Sequence, residues 1–268
     1  VVALYPLVQT FRLSFTNSRL GLPGYSYVGF KNYWFLWRDP DWRTAVEHTF
    51  QFTVASVAFE TIFGMAIALV IHSNFKGRGV VRTSMLVPWA IPTVVSAQMW
   101  KWMYNDVFGV INDFLVTRTH ILSHSYAFTQ NPSTALWSVI AVDVWKTTPF
   151  MALLLLAGLQ VIPGDIYEAS MVDGASKWQQ YWQLTLPLLK PALLVALIFR
   201  TLDAFRVFDV IYVLAKGSPS MMTVAVYAQQ TMFNIQRLGR GSAASVVIFA
   251  MIGILVVIYT RIVKIEEL

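Results

Sequence analysis

The sequence predicts an all-α protein, a polytopic bundle of membrane-crossing helices, and three observations carry that expectation. Hydrophobic residues fill 56% of the 268 positions and charged residues only 13%, a balance foreign to soluble domains of this length. Apolar windows of about 20 residues, enough to cross about 30 Å of hydrocarbon, occur near residues 50 to 72, 83 to 104, 135 to 160, 192 to 215 and 242 to 263. A sixth apolar run opens at Val1, contains Pro6 and ends near Arg12. It reads as the outer part of a truncated first helix, so six transmembrane helices are expected, forming one transmembrane domain over residues 1–268. No basic stretch with a small-residue cleavage site marks it as a secretory signal.

The connections follow in order. Residues 17 to 44 are rich in Gly, Pro, Tyr and Trp, and Y-S-Y-V-G-F-K-N-Y-W-F-L-W has the aromatic density of an interfacial belt. Residues 74 to 81 form a tight turn on the other side, and 105 to 133 are mixed polar. Within 216 to 241, M-M-T-V-A-V-Y is too short to span and is expected to lie in the interface or dip into the bundle. Lys76, Arg78 and Arg82 crowd one connection while Arg19, Lys31, Arg38 and Arg43 crowd the one on the opposite side, so charge alone does not orient the chain. The net charge of +6 suits anionic lipid rather than nucleic acid, and the absence of cysteine removes disulfides, thiolate metal sites and thiol nucleophiles.

Pro163 to Pro191 is more elaborate than a loop between spans requires. Pro163-Gly164 ends an apolar run, Asp165 sits where an N-cap belongs with Glu168 in capping-box register, and a short helix is expected over 166 to 172. Gly174 is the natural stop, and Ala175 to Leu184 reads as a second, amphipathic helix carrying Trp178, Tyr181 and Trp182. Small residues at Ala169, Ser170, Gly174 and Ala175 admit close approach of another surface. From these residues alone, a docking element and a plain interfacial anchor both remain open.

The segment resembles the EAA loop of ABC-importer permeases, whose pattern is E-A-A, three residues, G, nine residues, I, one residue, L-P. Glu168, Ala169, Gly174, Leu186 and Pro187 match in register, with Ser170 for the second Ala and Leu184 for Ile. The similarity extends along the chain, through Y-P-L-V-Q-T-F-R-L-S-F, V-G-F-K-N-Y, V-P-W-A-I-P, V-W-K-T-T-P-F and F-D-V-I-Y-V-L, and is nearest to the maltose- and trehalose-type sugar permeases. The resemblance implies a type I ABC importer permease fold in a bacterial cytoplasmic (inner) membrane. It implies that 163–191 is a cytoplasmic coupling loop, with Glu168, Ala169, Ser170, Asp173, Gly174 and Ala175 contacting an ATP-binding subunit. It further implies a second homologous permease (a heterodimer), two ATP-binding cassette subunits and an extracytoplasmic sugar-binding protein. ATP and Mg would then belong to those partner subunits, and this chain is expected to bind no cofactor and no metal and to have no catalytic residue. The absence of any G-x-x-x-x-G-K-[ST] phosphate loop accords with that.

The fifth apolar run carries Arg200, Asp203, Arg206 and Asp209 at intervals of three. Each costs about 2.5–3.5 kcal/mol at mid-membrane, so the four must face protein or water. Three residues advance a helix by about 300°, so they sweep about half its circumference and cannot all face one cavity. One reading is a salt-bridge ladder to neighbouring helices. The other is a polar path for a solute, with Asp203 and Arg206 hydrogen-bonding hydroxyls and Phe205 and Phe208 covering apolar faces. In the resembled permeases this span lines the translocation cavity, and Asp209, Trp145 and Thr148 complete the candidate path. Those permeases usually continue into T-G-G-G-P, where this chain has A-K-G-S-P at 215–219. Asp143 and Lys146 form an i,i+3 pair ahead of Pro149, serving helix packing or the cavity, and Glu60 is expected to pair with Arg200 or Arg206. His120 and His124 lack a third ligand nearby.

The function expected is therefore the transmembrane subunit of an ATP-driven, binding-protein-dependent importer that moves a di- or oligosaccharide or glycoside by alternating access. The competing reading is an ion- or proton-coupled secondary transporter using Asp203, Asp209 or Glu60, which would normally carry an inverted repeat. No constellation of His and carboxylates supports an enzyme.

Overall fold

A computed structural model describes residues 4–215 and 218–266. The described residues are mainly helical and contain no strand, only an isolated antiparallel bridge between Thr16 and Tyr27. The helices are α1 (Leu4–Ser14), α2 (Lys31–Arg38), α3 (Pro40–His72), α4 (Arg78–Met85), α5 (Val87–Ala90), α6 (Thr93–Met103) and α7 (Val110–Asn112), followed by α8 (Pro132–Val161), α9 (Gly164–Val172) and α10 (Lys177–Gln180). The last four are α11 (Leu186–Phe205), α12 (Asp209–Ala215), α13 (Val224–Gln229) and α14 (Leu238–Glu266).

Four described segments are long and apolar enough to cross a membrane, and a fifth, Arg78–Met103, qualifies as a broken pair. These coincide with the five expected windows, most of them extended by several residues. The sixth, α1, has 11 described residues, too few to cross alone. Two spans are interrupted where the sequence reading ran them straight. Ile91 is extended (φ −69°, ψ 133°) because Pro92 follows it, and a residue before proline avoids the helical region. The fifth span breaks at residues 206–208, between α11 and α12.

The chain divides into two compact units. One comprises residues 54–92 and 143–201. Its core is Met65, Ala68, Ile71, Met151, Leu155, Leu159, Leu189 and Ala196. Glycines permit close helix approach here, since a Cβ on Gly158 would collide with the Cβ of Ala192 and one on Gly64 would lie 2.7 Å from Met151 Cγ. In lipid, where helix association depends on such packing, small contact residues take the place of a hydrophobic drive.

The other unit comprises residues 1–53, 93–142 and 202–268. In it α14 packs against α1, α2 and α13, and α12 packs on α6. Asn32 is buried and donates 2.8 Å hydrogen bonds to the carbonyls of Ser14 and Thr16, tying α2 to the end of α1. The patch at 221–227 dips into this unit, the second of the two expected placements: Met221, Val224, Val226 and Tyr227 are buried. Thr49 Oγ1 receives the Val224 N–H at 3.0 Å, and Tyr227 donates to Asp39 at 2.6 Å. Burial, then that hydrogen bond, pushes the Tyr227 phenol above its ordinary pKa.

Candidate functional site

The segment after α8 is built by backbone chemistry at both ends. Pro163 is extended (φ −62°, ψ 136°) and caps α9, so the helix starts one residue before Asp165. Asp165 therefore sits in the first turn, where its carboxylate favours the helix dipole, and the capping box expected with Glu168 is absent. A true box forms at α10, where Ser176 Oγ accepts from Gln179 N–H and Gln179 Oε1 accepts from Ser176 N–H at 2.8 Å. Between them Gly174 adopts φ +78°, with its N–H on Met171 O at 3.1 Å and the Ala175 N–H on Ser170 O at 2.9 Å. This paired pattern closes α9 in a Schellman motif, which needs a left-handed residue at Gly174.

The two faces of α9 differ. On the inner face, Tyr167 OH meets Thr185 Oγ1 at 3.0 Å, and Gln180 Nε2 donates to Ser170 Oγ at 2.9 Å. Ser170 is thus a buried strut behind the helix. Glu168, Ala169, Asp173 and Gly174 are exposed, and Ala175 is partly so. Met171 and Val172, absent from the motif-based set, are 60% and 88% exposed. Their signal was present in the sequence as an apolar pair in the middle of a polar loop. A recess of about 340 Å³ opens beside them, lined by Asp173, Gly174, Ala175, Gln179 and Gln180 among others.

The charged residues of the fifth span separate into two environments. Arg200 is buried and grips Glu60 with both arms of its guanidinium, Nε to Oε2 at 2.5 Å and Nη2 to Oε1 at 2.8 Å. The same Nη2 reaches Asp143 Oδ2 at 3.4 Å and Thr147 Oγ1 at 3.3 Å. Thr147 Oγ1 also lies 2.7 Å from Glu60 Oε1. The expected pairing of Glu60 with Arg200 is what forms. Lys146 interacts electrostatically with Asp143, as anticipated, and also serves backbone carbonyls. Its Nζ lies 2.5 Å from the Ile91 carbonyl, 3.4 Å from that of Pro88 and 3.5 Å from that of Trp89. The break at Ile91–Pro92 leaves carbonyls without helical donors, and the ammonium supplies one.

Around the break at 206–208 the charges are open. Arg206 Nη2 meets Asp203 Oδ1 at 3.3 Å with both side chains more than half exposed, and Asp209 is exposed in the first turn of α12. Phe208 is partly exposed and stacks on Tyr212 at 5.1 Å. Phe205 does not join them: it is buried edge-on against Phe50, because it falls on the packed side of α11. Thr148 is buried with an unpaired hydroxyl, and Trp145 is partly buried. Lys216 and Gly217 of A-K-G-S-P lie outside the described residues. A polar recess of about 420 Å³, lined in part by Lys101, Tyr104, Asn105, Asp106 and Gln130, was not evident from sequence because its residues meet only through tertiary folding.

Residues 60–265 match the family described as binding-protein-dependent transport system inner membrane component. The chain belongs to that family. The match takes in the Glu60–Arg200 pair and all of 163–191. Among relatives of this inner membrane component, the trehalose/maltose transport system permease protein MalF of Thermococcus litoralis is 41% identical over 98% of this chain and 88% of its own length. The sulfoquinovosyl glycerol transport system permease protein SmoG of Agrobacterium fabrum is 35% identical over 100% of this chain and 87% of its own. In fold, the chain resembles a bacterial alginate ABC transporter solved with an alginate pentasaccharide-bound periplasmic protein (TM-score 0.83, 22% identity, 97% of this chain and 86% of that one). The inner membrane component is thus a multi-pass membrane transport protein of the permease fold, and nothing in these similarities favours a secondary transporter.

Proposed function

We propose that this chain is the transmembrane subunit of an ATP-driven importer that takes a sugar, a di- or oligosaccharide or a glycoside, from an external binding protein. The observation that carries the reading is α9: a short helix held from behind by Tyr167 and Ser170, closed by Gly174, and presenting Glu168, Met171 and Val172 outward. A rigid exposed ridge between two spans suits a lever on which a separate ATPase pushes, and the chain contains no phosphate loop of its own. The ATP and Mg chemistry then resides on two cassette subunits, and a second, homologous permease completes the pore as a heterodimer. The relatives named for trehalose/maltose and sulfoquinovosyl glycerol support a polyhydroxylated cargo. Asp203, Arg206 and Asp209, with Phe208 beside them, offer hydroxyl-binding groups and an aromatic face on the open side of the fifth span.

The test is uptake by the assembled complex in proteoliposomes, across trehalose, maltose and glycoside substrates. Uptake is expected only with ATP, the cassette subunits and the binding protein. Uptake that persists without ATP and collapses with an uncoupler would overturn the assignment.

A further inference from the structure

We infer that the end of α1 and the start of α14 form a binding site for an anionic phospholipid, with the phosphate in a basic recess and an acyl chain in an apolar groove deeper along the same helix pair. The recess, about 160 Å³, is lined by Thr16, Asn17, Ser18, Lys31, Arg237 and Arg240, among others. The groove, about 750 Å³, is lined by Leu7, Val8 and Phe11 of α1 and Val246, Phe249 and Ile252 of α14, among others. Its volume lies in the range of pockets that hold sizeable organic ligands. From Arg240 to Val246 the helix descends about 9 Å, so the groove begins where acyl chains begin below a headgroup.

The charge of the recess lacks an internal counterpart. Among the described residues, none of Arg19, Lys31, Arg237 and Arg240 makes an ion pair with a carboxylate. Repulsion from Arg19, then burial, then repulsion from Arg240 lowers the pKa of Arg237, as expected of cations gathered without an anion. The recess is nevertheless firmly constructed. Asn32 holds the Ser14 and Thr16 carbonyls, the Gly239 N–H donates to Ser18 O at 3.0 Å, and a Cβ on Gly239 would collide with the Thr16 carbonyl. Arg240 is fixed over the Phe35 ring at 3.8 Å.

The surroundings point to a membrane interface. Phe30, Trp34 and Trp37 are all more than half exposed and flank the site on α2 or just ahead of it, as an aromatic belt does. The cations that left topology unsettled by charge now separate. Arg38 stacks on Trp34 at 4.6 Å and Arg43 donates to the Trp37 carbonyl at 2.8 Å, so both are satisfied locally. Lys31 and Arg19 instead join the two arginines beside α14. A basic recess between membrane helices at headgroup level offers a lipid phosphate charge-assisted hydrogen bonds from arginine, in the leaflet on the side of the 17–44 connection. The site does not depend on which solute the protein carries.

The experiment is native mass spectrometry of the whole purified importer titrated with phosphatidylglycerol or phosphatidylcholine of matched chains. Wild type is expected to retain phosphatidylglycerol at least five-fold better. R237Q/R240Q should abolish that preference, R237K/R240K should keep most of it, and Ala250→Trp, which fills the groove, should weaken retention with the cations intact. Should R237Q/R240Q not assemble, Lys31→Gln carries the same test, with a smaller loss expected. Undiminished phosphatidylglycerol retention in the Gln variants overturns the site. Displacement by millimolar inorganic phosphate with no effect of Ala250→Trp would make it a free-anion site and also overturns it. So would loss of binding-protein affinity in R237Q/R240Q with lipid retention unchanged, which would make the recess a protein-docking surface.

Discussion

Arg200 and Glu60, 140 positions apart in sequence, form a two-pronged buried ion pair at 2.5 and 2.8 Å, with Asp143 and Thr147 closing around it. Counting Lys146, the buried charges of residues 54–92 and 143–201 are two positive and two negative, so charge balances within that unit. Such a pair contributes little net stability as a whole, but removing one partner strands the other charge.

Arg200→Met is accordingly expected to destabilise the protein by about 3–5 kcal/mol, the usual penalty for half a buried pair. The combined Arg200→Met/Glu60→Leu exchange should recover part of that loss, Asp143 still lacking the guanidinium. Thermal unfolding in detergent, read by tryptophan fluorescence, distinguishes the two. Equal melting temperatures for the single and double variants would show that Glu60 is not held by Arg200.

Lys146 is expected to matter more through the carbonyls it serves than through charge pairing. Lys146→Met leaves the Ile91, Pro88 and Trp89 carbonyls without their ammonium, each stranded group costing about 1–3 kcal/mol before relaxation. A lower melting temperature and increased protease cleavage near Pro92 are expected, with Lys146→Arg falling between. Replacing Asp143 by Asn should not reproduce the cleavage, since the ammonium still serves those carbonyls.

What was legible in the sequence follows the same physical division. Apolar length located the spans because a bilayer imposes one thickness on every helix. Gly174 was legible because few other residues accept φ +78°. Local pattern failed where tertiary partners decided. Asp165 looked like a cap until Pro163 took that position, nothing local showed that Phe50 would cover Phe205, and nothing near Lys146 announced the three carbonyls that a broken helix presents to it. Ser170 was chosen for its smallness, whereas its hydroxyl is what the fold uses.

Gly174 allows conformation and volume to be tested apart. A Cβ there would meet nothing within 4 Å, so any effect of substitution arises from the left-handed backbone, about 1–2 kcal/mol for an ordinary residue. Gly174→Val should loosen the end of α9 and reduce sugar-stimulated ATP hydrolysis in the assembled complex several-fold, while membrane insertion is unchanged. Gly174→Asn, which tolerates this conformation, should retain most activity. Comparable activity of the Val variant and wild type would sink the coupling role of α9.

Asp203 and Arg206 provide the clearest separation of transport from stability. Both side chains are more than half exposed in this chain, and an ion pair in a water-filled path is worth about 0–1 kcal/mol, so Ala at either position should leave the fold of this chain nearly intact. A change in uptake then reports on the path itself. Asp203→Ala and Arg206→Ala are each expected to lower sugar uptake by about ten-fold, the effect of losing roughly one hydrogen bond from a charged group to a hydroxyl. Phe205→Leu, at a buried site, should instead lower the melting temperature with little change in selectivity across a sugar panel. If both charge variants transported every sugar at wild-type rates, Asp203 and Arg206 would be surface residues only, and the polar recess near Asn105 and Gln130 would become the place to look for sugar contacts.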